Sequence, residues 1–592
     1  MEKFMRKTSS KITLFTWLFA ATFVSACSTQ PKQTTPAAPS PQATVSQTDE
    51  KQEVSVAEED VVDSNLSPEL LFRLMLAEIS GQRGHINVAV KQYLEAAKLS
   101  NDLKIIERAA RIAVYARDDE SAMEAAQLWT EIAPDSREAH QVAAAMNLRT
   151  GNAKQAYIHL EKVINLGDKD GTRNTFLLIT SLLGKERDQR AALGVMELLV
   201  ATRQDNPDAL YAYSQLALLV GELDKAKASA LKTIKLKPDW ADAYIIYSNA
   251  LYRQGKKAKA LQELKVALEK VPENIVLRDY YARRLVDGKR YAEAREQFHI
   301  ILDTAPGNTD AEYALALLSL QTNKLEEATE LFQHLVKSGK RIHESSYYLG
   351  QIAEQQNNSE LAVQWYEIIG SGQYKVDAQI RIAMIDAKAG KVKQARERLY
   401  SIEADSIETE QRLLLAEGEI LREAKMHQEA FDIYSEGLAR MPDNVNILYA
   451  RALTAERIER IDVTFSDLEK IIKLDPENSQ ALNALGYTLV DRTDRLQEGL
   501  KYIQKAYKTN PDDPAVLDSL GWANYRLGNH KEALRFLRKA FEGLKDSEIA
   551  AHLGEVLWVT GEEGNAQEIW DEALRATPKH KLLNDVIKRF TP

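Results

Sequence analysis

Residues 519–540 read SLGWANYRLGNHKEALRFLRKA. In the first half Gly521 is a small residue, and in the second half Ala533, Leu537 and Ala540 recur at intervals of four and three residues. Such intervals place side chains on one face of an α-helix. A small residue on each helix lets the two axes approach closely, and a bulky residue one turn later fills the groove beside the crossing. The stretch therefore predicts a hairpin of two packed helices.

The same pattern recurs along the chain with a period of 34 residues. Five alanines mark this period without a gap: Ala226, Ala260, Ala294, Ala328 and Ala362. A bulky apolar residue or an alanine stands four places after each of them, and a small residue stands twelve places before most of them. Three units close with a proline, which ends the second helix, at Pro238, Pro272 and Pro306. Such a period indicates a solenoid, in which each unit buries its apolar face against the next.

These spacings resemble the tetratricopeptide repeat, abbreviated TPR. The resemblance implies an all-α TPR solenoid, in which stacked helical hairpins form a right-handed superhelix. About 15 units occupy residues 66–578, with irregular stretches near residues 165–205 and 402–412, where the pattern slips. In residues 579–592, apolar side chains at helical spacing predict a helix that caps the last hairpin. A partner-binding helix is the alternative for that segment.

Composition agrees with a helical array and narrows the classes of partner. Of the 592 residues 28% are charged, the net charge is −10, and no run of alternating apolar residues predicts a sheet. A negatively charged chain without a stripe of Lys and Arg opposes binding to nucleic acid. We therefore expect no nucleic-acid partner.

No motif in the sequence carries chemistry. HExxH, CxxC and GxSxG are all absent, so we predict no catalytic residue, no cofactor and no metal site, and hence a protein that is not an enzyme. His552 and Glu555 stand three residues apart on one predicted helix and offer two metal ligands. Packing beside Gly554 is the alternative for this pair, since two ligands without further partners rarely hold zinc.

The N-terminus carries a second signal. Four basic residues within the first eleven positions precede an apolar stretch from 12 to 24, which predicts a signal peptide over residues 1–26. The tetrapeptide VSAC at residues 24–27 resembles the lipobox of bacterial lipoproteins and ends at the only cysteine of the chain. The resemblance implies that Cys27 is acylated and becomes the mature N-terminus. A stray cysteine after an ordinary signal peptide is the alternative.

The residues after Cys27 bear on location. Ser28 stands where an Asp commonly retains such lipoproteins in the inner membrane, so the resemblance implies a lipid anchor in the outer membrane, facing the periplasm. Residues 27–65 are rich in Pro, Ser, Thr, Gln and acidic residues and predict a disordered tether. A flexible chain of this length spans on the order of 35 Å.

The repeat register assigns residues to the concave groove that TPR proteins form. With the small residue of the first helix as position 8, positions 9 and 12 of three C-terminal units hold aromatic residues: Tyr487, Trp522, Tyr525 and Trp558. Large rigid side chains on a concave surface suit the capture of a peptide or a partner helix. Packing against neighbouring helices is the alternative. The register places Trp129 and Trp570 in the core.

A second, polar set of groove residues lies in three earlier units. Its members are Tyr211, Gln215, Asn249, Tyr252, Asp279 and Arg283. Asn249 matches one element of the TPR sites that clamp a C-terminal carboxylate, but Ile245 replaces the lysine of such sites, so we do not predict that ligand. A solvated face is the alternative to a peptide site.

The whole chain resembles one class of TPR protein. The lipobox, the tether, the array and the runs LNALGYTLVDRTDRL, DDPAVLDSLGWANYRLG and IAAHLGEVLWVTGEEGNAQEIW are similar to the large TPR outer-membrane lipoproteins of the LbcA type. That resemblance implies a non-catalytic adaptor that binds and activates a periplasmic carboxyl-terminal processing protease and presents substrates such as peptidoglycan hydrolases. A scaffold for another envelope assembly, such as a peptidoglycan synthase, a pilus or secretion machine, or an outer-membrane insertion complex, is the alternative.

Overall fold

The computed structural model describes residues 67–167 and 172–591. The predicted signal peptide, Cys27 and the tether lie outside the described residues. Within them the chain forms 31 helices and no strand, which confirms the all-α class. The described residues divide into two compact units, which we call the N-terminal unit (67–345) and the C-terminal unit (346–591).

Most helices of the N-terminal unit pair with the next helix in a hairpin. They are α1 (Pro68–Gln82), α2 (Ile86–Leu99), α3 (Leu103–Ala116), α4 (Asp119–Ile132), α5 (Arg137–Arg149), α6 (Ala153–Asn165), α7 (Thr172–Leu183), α8 (Gln189–Ala201), α9 (Pro207–Val220), α10 (Leu223–Leu236), α11 (Ala241–Arg253), α12 (Lys257–Lys270), α13 (Ile275–Asp287), α14 (Tyr291–Thr304), α15 (Thr309–Gln321) and α16 (Leu325–Lys337). Odd-numbered helices are helix A of a hairpin, and even-numbered helices are helix B.

The same alternation continues to the C-terminus. The remaining helices are α17 (Ile342–Gln355), α18 (Ser359–Glu367), α19 (Lys375–Lys388), α20 (Val392–Tyr400), α21 (Ile407–Glu423), α22 (His427–Arg440), α23 (Val445–Arg457), α24 (Ile461–Leu474), α25 (Ser479–Arg492), α26 (Leu496–Thr509), α27 (Pro514–Arg526), α28 (His530–Gly543), α29 (Ser547–Val559), α30 (Glu563–Ala576) and α31 (Lys581–Phe590). The division between the units falls within α17.

The residues that mark the period occupy the closest helix crossings. All five alanines of the 34-residue series are at most 1% exposed. The side chains four places later are equally buried: Ala230, Leu264, Phe298, Phe332 and Tyr366. Helices α10, α12 and α14 each end two residues before a proline, as the missing N–H and the ring of proline require. The periodicity therefore predicted both the crossings and the ends of these helices.

Asparagine begins many of the A helices. The side chains of Asn274, Asn308 and Asn478 each accept a hydrogen bond from the backbone N–H three residues later, at 2.9–3.0 Å. An N-cap side chain satisfies one of the N–H groups that have no partner in the first turn of a helix. These residues follow the proline-containing turns between hairpins, so the turn and the cap together set where each unit restarts.

Glycine on helix A allows an aromatic ring of helix B to lie directly on the backbone. A Cβ atom at Gly554 would stand 2.0 Å from the indole nitrogen of Trp570, and one at Gly418 would stand 2.2 Å from the Tyr434 ring. No side chain fits in that space, so glycine is required at these crossings. The rings are almost fully buried, and the predicted core positions of Trp570 and Trp129 are confirmed.

The two stretches where the sequence pattern slips have their own geometry. In the first, α8 packs chiefly against α6 and α9 rather than against α7, the helix with which it would pair in a regular hairpin. In the second, α20 has nine residues and α21 has seventeen. The Ser406 side chain accepts a hydrogen bond from the backbone N–H of Thr409 at 3.1 Å and so begins α21.

The last helix covers the end of the C-terminal unit. Leu583 and Val586 of α31 are buried, and Leu582, Ile587 and Phe590 lie against the same apolar core. The terminal helix therefore packs on the apolar face of the last hairpin, which would otherwise be exposed to solvent. Among the described helices, none combines the length and the apolar character that a bilayer crossing needs.

Candidate functional site

The aromatic residues that the register assigns to the C-terminal groove do not form one exposed stripe. Trp522 on α27 is 8% exposed, and its indole N–H donates to Asp491 of α25 at 3.3 Å. Its ring stacks on His552 of α29, with 4.3 Å between ring centroids. Trp522 therefore packs between neighbouring A helices, as the alternative interpretation expected. Its buried ring offers little surface to a partner.

A buried ion pair lies beneath Trp522. The Nδ1 atom of His552 lies 3.0 Å from both carboxylate oxygens of Asp518, and both side chains are buried. Burial opposes the charged imidazolium, but attraction and hydrogen bonding by Asp518, with Glu548 and Asp491 adding to them, raise the pKa of His552 to about 9. Burial also raises the pKa of Asp518, against the effect of His552. At neutral pH the His552 imidazole therefore carries its proton.

The separation of this pair was visible in the sequence. Asp518 and His552 are 34 residues apart, one full period, and so occupy equivalent places on successive A helices. The three-residue spacing on one helix pointed instead to His552 and Glu555 as two metal ligands. In the structure these two side chains have different partners, because Glu555 pairs with Arg589 of α31 at 3.3 Å. The described residues hold no group of three or more side chains placed to bind a metal.

The other three aromatic residues are partly buried and hydrogen-bonded or stacked. The Tyr487 hydroxyl donates to Glu548 at 3.3 Å, and the Tyr525 hydroxyl donates to Glu555 at 3.2 Å. Burial, followed by the negative charge of Glu555, raises the pKa of Tyr525 to about 12. Trp558 instead stacks on Trp570, 5.7 Å between centroids, beneath the terminal helix. Their role in binding a partner remains a prediction.

The polar set of the N-terminal unit contains one buried member. Tyr211 is 6% exposed and stacks on Trp240 with 4.7 Å between centroids, while the Gln215 amide donates to the Tyr211 hydroxyl at 3.0 Å. Burial raises the pKa of Tyr211 to about 12. Arg173 lies over the Trp240 ring at 4.7 Å. Tyr211 and Gln215 therefore support the stack, and Arg173 and Trp240, which the register did not select, complete it.

The remaining polar residues are more accessible. Asn249, Tyr252 and Arg283 are partly buried on the A helices α11 and α13. The Arg283 guanidinium donates to Asp279 at 2.7 Å, and its side chain is 37% exposed. The guanidinium of Arg284, which the register did not select, lies 5.1 Å from the centre of the Tyr252 ring. The Arg283–Asp279 ion pair offers charge to a polypeptide, and the partly buried Tyr252 side chain offers apolar area.

The repeats of this chain match known tetratricopeptide-repeat sequences. Tetratricopeptide-repeat sequence profiles match residues 214–275, 285–348 and 483–543. The chain is 40% identical, over 494 residues, to the TPR repeat-containing protein PA4667 of Pseudomonas aeruginosa, and the match covers 83% of each protein. The chain belongs to the family of that TPR protein.

Two kinds of further similarity are short or distant. A match of 28% identity over 110 residues, 19% of this chain and 11% of the other, joins it to bacteriophage adsorption protein A of Escherichia coli. Among solved structures, the APC/C hetero-tetramer Cut9–Hcn1 matches 89% of this chain and 97% of its own, with a TM-score of 0.33 and 14% identity. A tetratricopeptide repeat protein from Parabacteroides merdae matches 43% of this chain and 100% of its own, with a TM-score of 0.35 and 14% identity.

Proposed function

We propose that this TPR protein is a lipid-anchored scaffold of the outer membrane that binds a periplasmic carboxyl-terminal processing protease and brings protein substrates to it. The observation that carries the proposal is the combination of a hairpin array through nearly all described residues with the VSAC sequence at the only cysteine. A TPR array binds protein partners through its surfaces and needs no catalytic group. The resemblance to LbcA-type lipoproteins supports the choice of protease.

The mechanism is an increase in local concentration. One surface of the array holds the protease and another holds a substrate such as a peptidoglycan hydrolase, so cleavage becomes effectively intramolecular. The accessible Arg283–Asp279 pair and Tyr252 lie on A helices and are the side chains we assign to polypeptide contact in the N-terminal unit. The scaffold itself carries out no chemistry.

We expect the full-length chain, purified in a mild non-ionic detergent, to accelerate proteolysis by the processing protease of the same bacterium. The acceleration should be about tenfold or more when substrate is scarce, because an effective concentration in the millimolar range replaces a dilute encounter. The initial rate of cleavage of a cell-wall hydrolase, followed by gel densitometry, measures it. An unchanged rate with both proteins folded contradicts the adaptor function. Copurification with other envelope proteins then favours the alternative scaffold.

A charge reversal tests whether the N-terminal unit contributes to this activity. Arg283→Glu places two acidic residues together on α13 without removing a buried group, so the array stays folded. Arg535→Glu is the matched control, because Arg535 pairs with Glu532 on helix B α28 and is 59% exposed. A loss of acceleration with Arg283→Glu alone supports the assigned surface. Equal acceleration by both variants contradicts the assignment of this surface.

The anchor has a separate test. Cys27→Ser removes the thiol that acylation requires, and without acyl chains the chain has no stable hold on a bilayer. We expect the variant to move from the membrane fraction to the soluble periplasmic fraction, as measured by immunoblotting after osmotic release. Retention of Cys27→Ser in outer-membrane fractions contradicts lipid anchoring at this residue. Ser28→Ala serves as the control for a change at the same place that keeps the thiol.

A further inference from the structure

An open pocket lies in the N-terminal unit where three turns between helix A and helix B meet. The turns join α3 to α4, α5 to α6 and α7 to α8, and the pocket has a volume of about 430 Å³. Ligand pockets in proteins typically measure about 300–1,000 Å³. The pocket is therefore large enough to receive the side chains of a short polypeptide segment.

The repeat period explains why there is space at this place. Arg117, Gly151 and Lys185 follow one another at intervals of 34 residues and so occupy equivalent places in the three turns. Gly151 has a φ of +80°, in the left-handed region that favours glycine, and a Cβ atom there would meet nothing within 4 Å. The middle turn thus carries no side chain at the place where the other two turns carry a cation.

Three positive side chains at this pocket have no counter-ion. Arg117, Lys185 and Arg187 line it and are exposed, and the last two belong to the irregular stretch near residues 165–205. Over residues 67–167 and 172–591, none of these three side chains forms an ion pair, a hydrogen bond or a contact with an aromatic ring. A cleft lined by unpaired charges of one sign attracts a ligand of the opposite sign.

The acidic side chains in the walls are already bound to other groups. Glu186 is 7% exposed and accepts hydrogen bonds from Nε and Nη2 of Arg149 at 2.9 and 3.3 Å. Asp119 accepts a hydrogen bond from Nη1 of the same arginine at 3.1 Å. Asp188 accepts from the backbone N–H of Ala191 at 2.9 Å and so caps α8. These contacts fix the walls and leave the three free cations for a ligand.

We propose that this pocket binds the carboxylate side chains of a short acidic segment in a partner polypeptide. The guanidinium groups of Arg117 and Arg187 each suit a carboxylate through two parallel N–H···O bonds, and Lys185 adds a point charge. Val114 and Leu148 line the same pocket and offer apolar area to the methylene groups of the segment. The fixed carboxylates in the walls oppose the continuous phosphate backbone of a nucleic acid. The inference goes beyond the proposed protease and does not depend on it.

Immobilised peptide libraries test the inference with the full-length chain in a mild non-ionic detergent. Each library has degenerate flanking positions, an amidated C-terminus and two fixed central residues, either Glu–Glu or Gln–Gln. At physiological salt we expect the Glu–Glu library to retain about five times more chain than the Gln–Gln library. The net charge of −10 opposes acidic peptides in general, so this preference requires a local positive site. Equal retention by the two libraries, or stronger retention by an immobilised oligothymidylate than by the Glu–Glu library, overturns the proposal.

Two double variants locate the preference in the pocket. Arg117→Gln with Lys185→Gln removes two exposed charges that have no partner in the described part of the chain, so the preference for the Glu–Glu library should fall below about twofold. Lys232→Gln with Lys235→Gln is the matched control, because both lysines are exposed on α10 of the same unit, outside the pocket, and the net charge changes equally. A preference that survives the first variant, or that falls equally in the control, places acidic binding elsewhere and overturns the site. Because the library comparison uses the unaltered chain, it decides the proposal even if a variant folds poorly.

Discussion

Replacement of Trp570 with alanine is expected to destabilise the end of the C-terminal unit by about 3–5 kcal/mol. Trp570 on α30 is 2% exposed, and its indole lies on the backbone of Gly554 where no side chain fits. Its ring centroid is also 5.7 Å from that of Trp558 and 6.3 Å from that of Phe590. Alanine removes the contacts with all three residues and leaves a cavity, because a glycine opposite cannot move inward to fill it.

Amide hydrogen exchange measures this effect where it occurs. In a solenoid each hairpin contacts only its neighbours, so the loss of protection should be confined to α29, α30 and α31. Exchange there should accelerate on the order of a hundredfold or more, which corresponds to the lost stability. Trp365→Ala is the matched control, because Trp365 on α18 is only partly buried. Equal losses from the two substitutions, or a loss spread over the whole chain, contradict this account of the crossing.

The repeat register predicted the crossings well because they depend on backbone spacing. Ala226, Ala260 and Gly554 are small for the same reason, which is that two helix axes approach closely there. That constraint applies at the same place in each hairpin, so a small residue recurs at the same position of the repeat. The effects of proline at helix ends and of asparagine at helix starts also depend only on nearby residues. The sequence predicted the helix ends at proline, and the asparagine caps explain where the A helices start.

The register predicted less about the groove because exposure depends on neighbouring units. Position 9 of a unit faces the groove, but whether a ring there is exposed depends on the side chain that the next A helix presents. Trp522 is covered by His552, and Trp558 lies beside Trp570 and Phe590, under the terminal helix. The register assigns each ring to a face from the position of that ring alone. Pairing of residues one period apart would have found Asp518 with His552.

In the N-terminal unit, too, the register position of a groove residue does not determine whether its side chain is exposed. Tyr211 has a favourable register position, yet Trp240 in the turn before the next A helix stacks on it. Arg283 keeps its exposure because its neighbour Asp279 holds it along the surface of α13. A groove residue is thus available to a partner only where adjacent turns and helices leave it uncovered. Of the residues that the register proposed in this unit, Tyr211 is buried, whereas Gln215, Asn249, Tyr252 and Arg283 are partly buried.

Replacement of Asp518 with asparagine is expected to cost about 3 kcal/mol near pH 6 and much less near pH 10. The pKa of His552 is near 6.5 in an unfolded chain and about 9 in the folded protein. Because the folded value is the higher one, the stabilisation is fully present below pH 6.5 and is lost as the pH rises through 9. Without the Asp518 carboxylate, the buried imidazolium loses its hydrogen-bonded counter-ion, so His552 loses its proton and the pH dependence disappears with the charge.

Denaturant unfolding followed by circular dichroism at pH 6, 7.5, 9 and 10 measures this difference. Asp512→Asn is the matched control, because Asp512 precedes the same helix but is 87% exposed and pairs only with Lys539 at the surface. Exposed ion pairs contribute at most about 1 kcal/mol, so that variant should follow the unaltered chain at every pH. The other groups around His552 are Glu548, Asp491 and Tyr487, and they are unchanged in both variants. A constant difference between Asp518→Asn and the unaltered chain from pH 6 to 10 would show that His552 is neutral in the folded protein, and the charged pair beneath Trp522 would then be wrong.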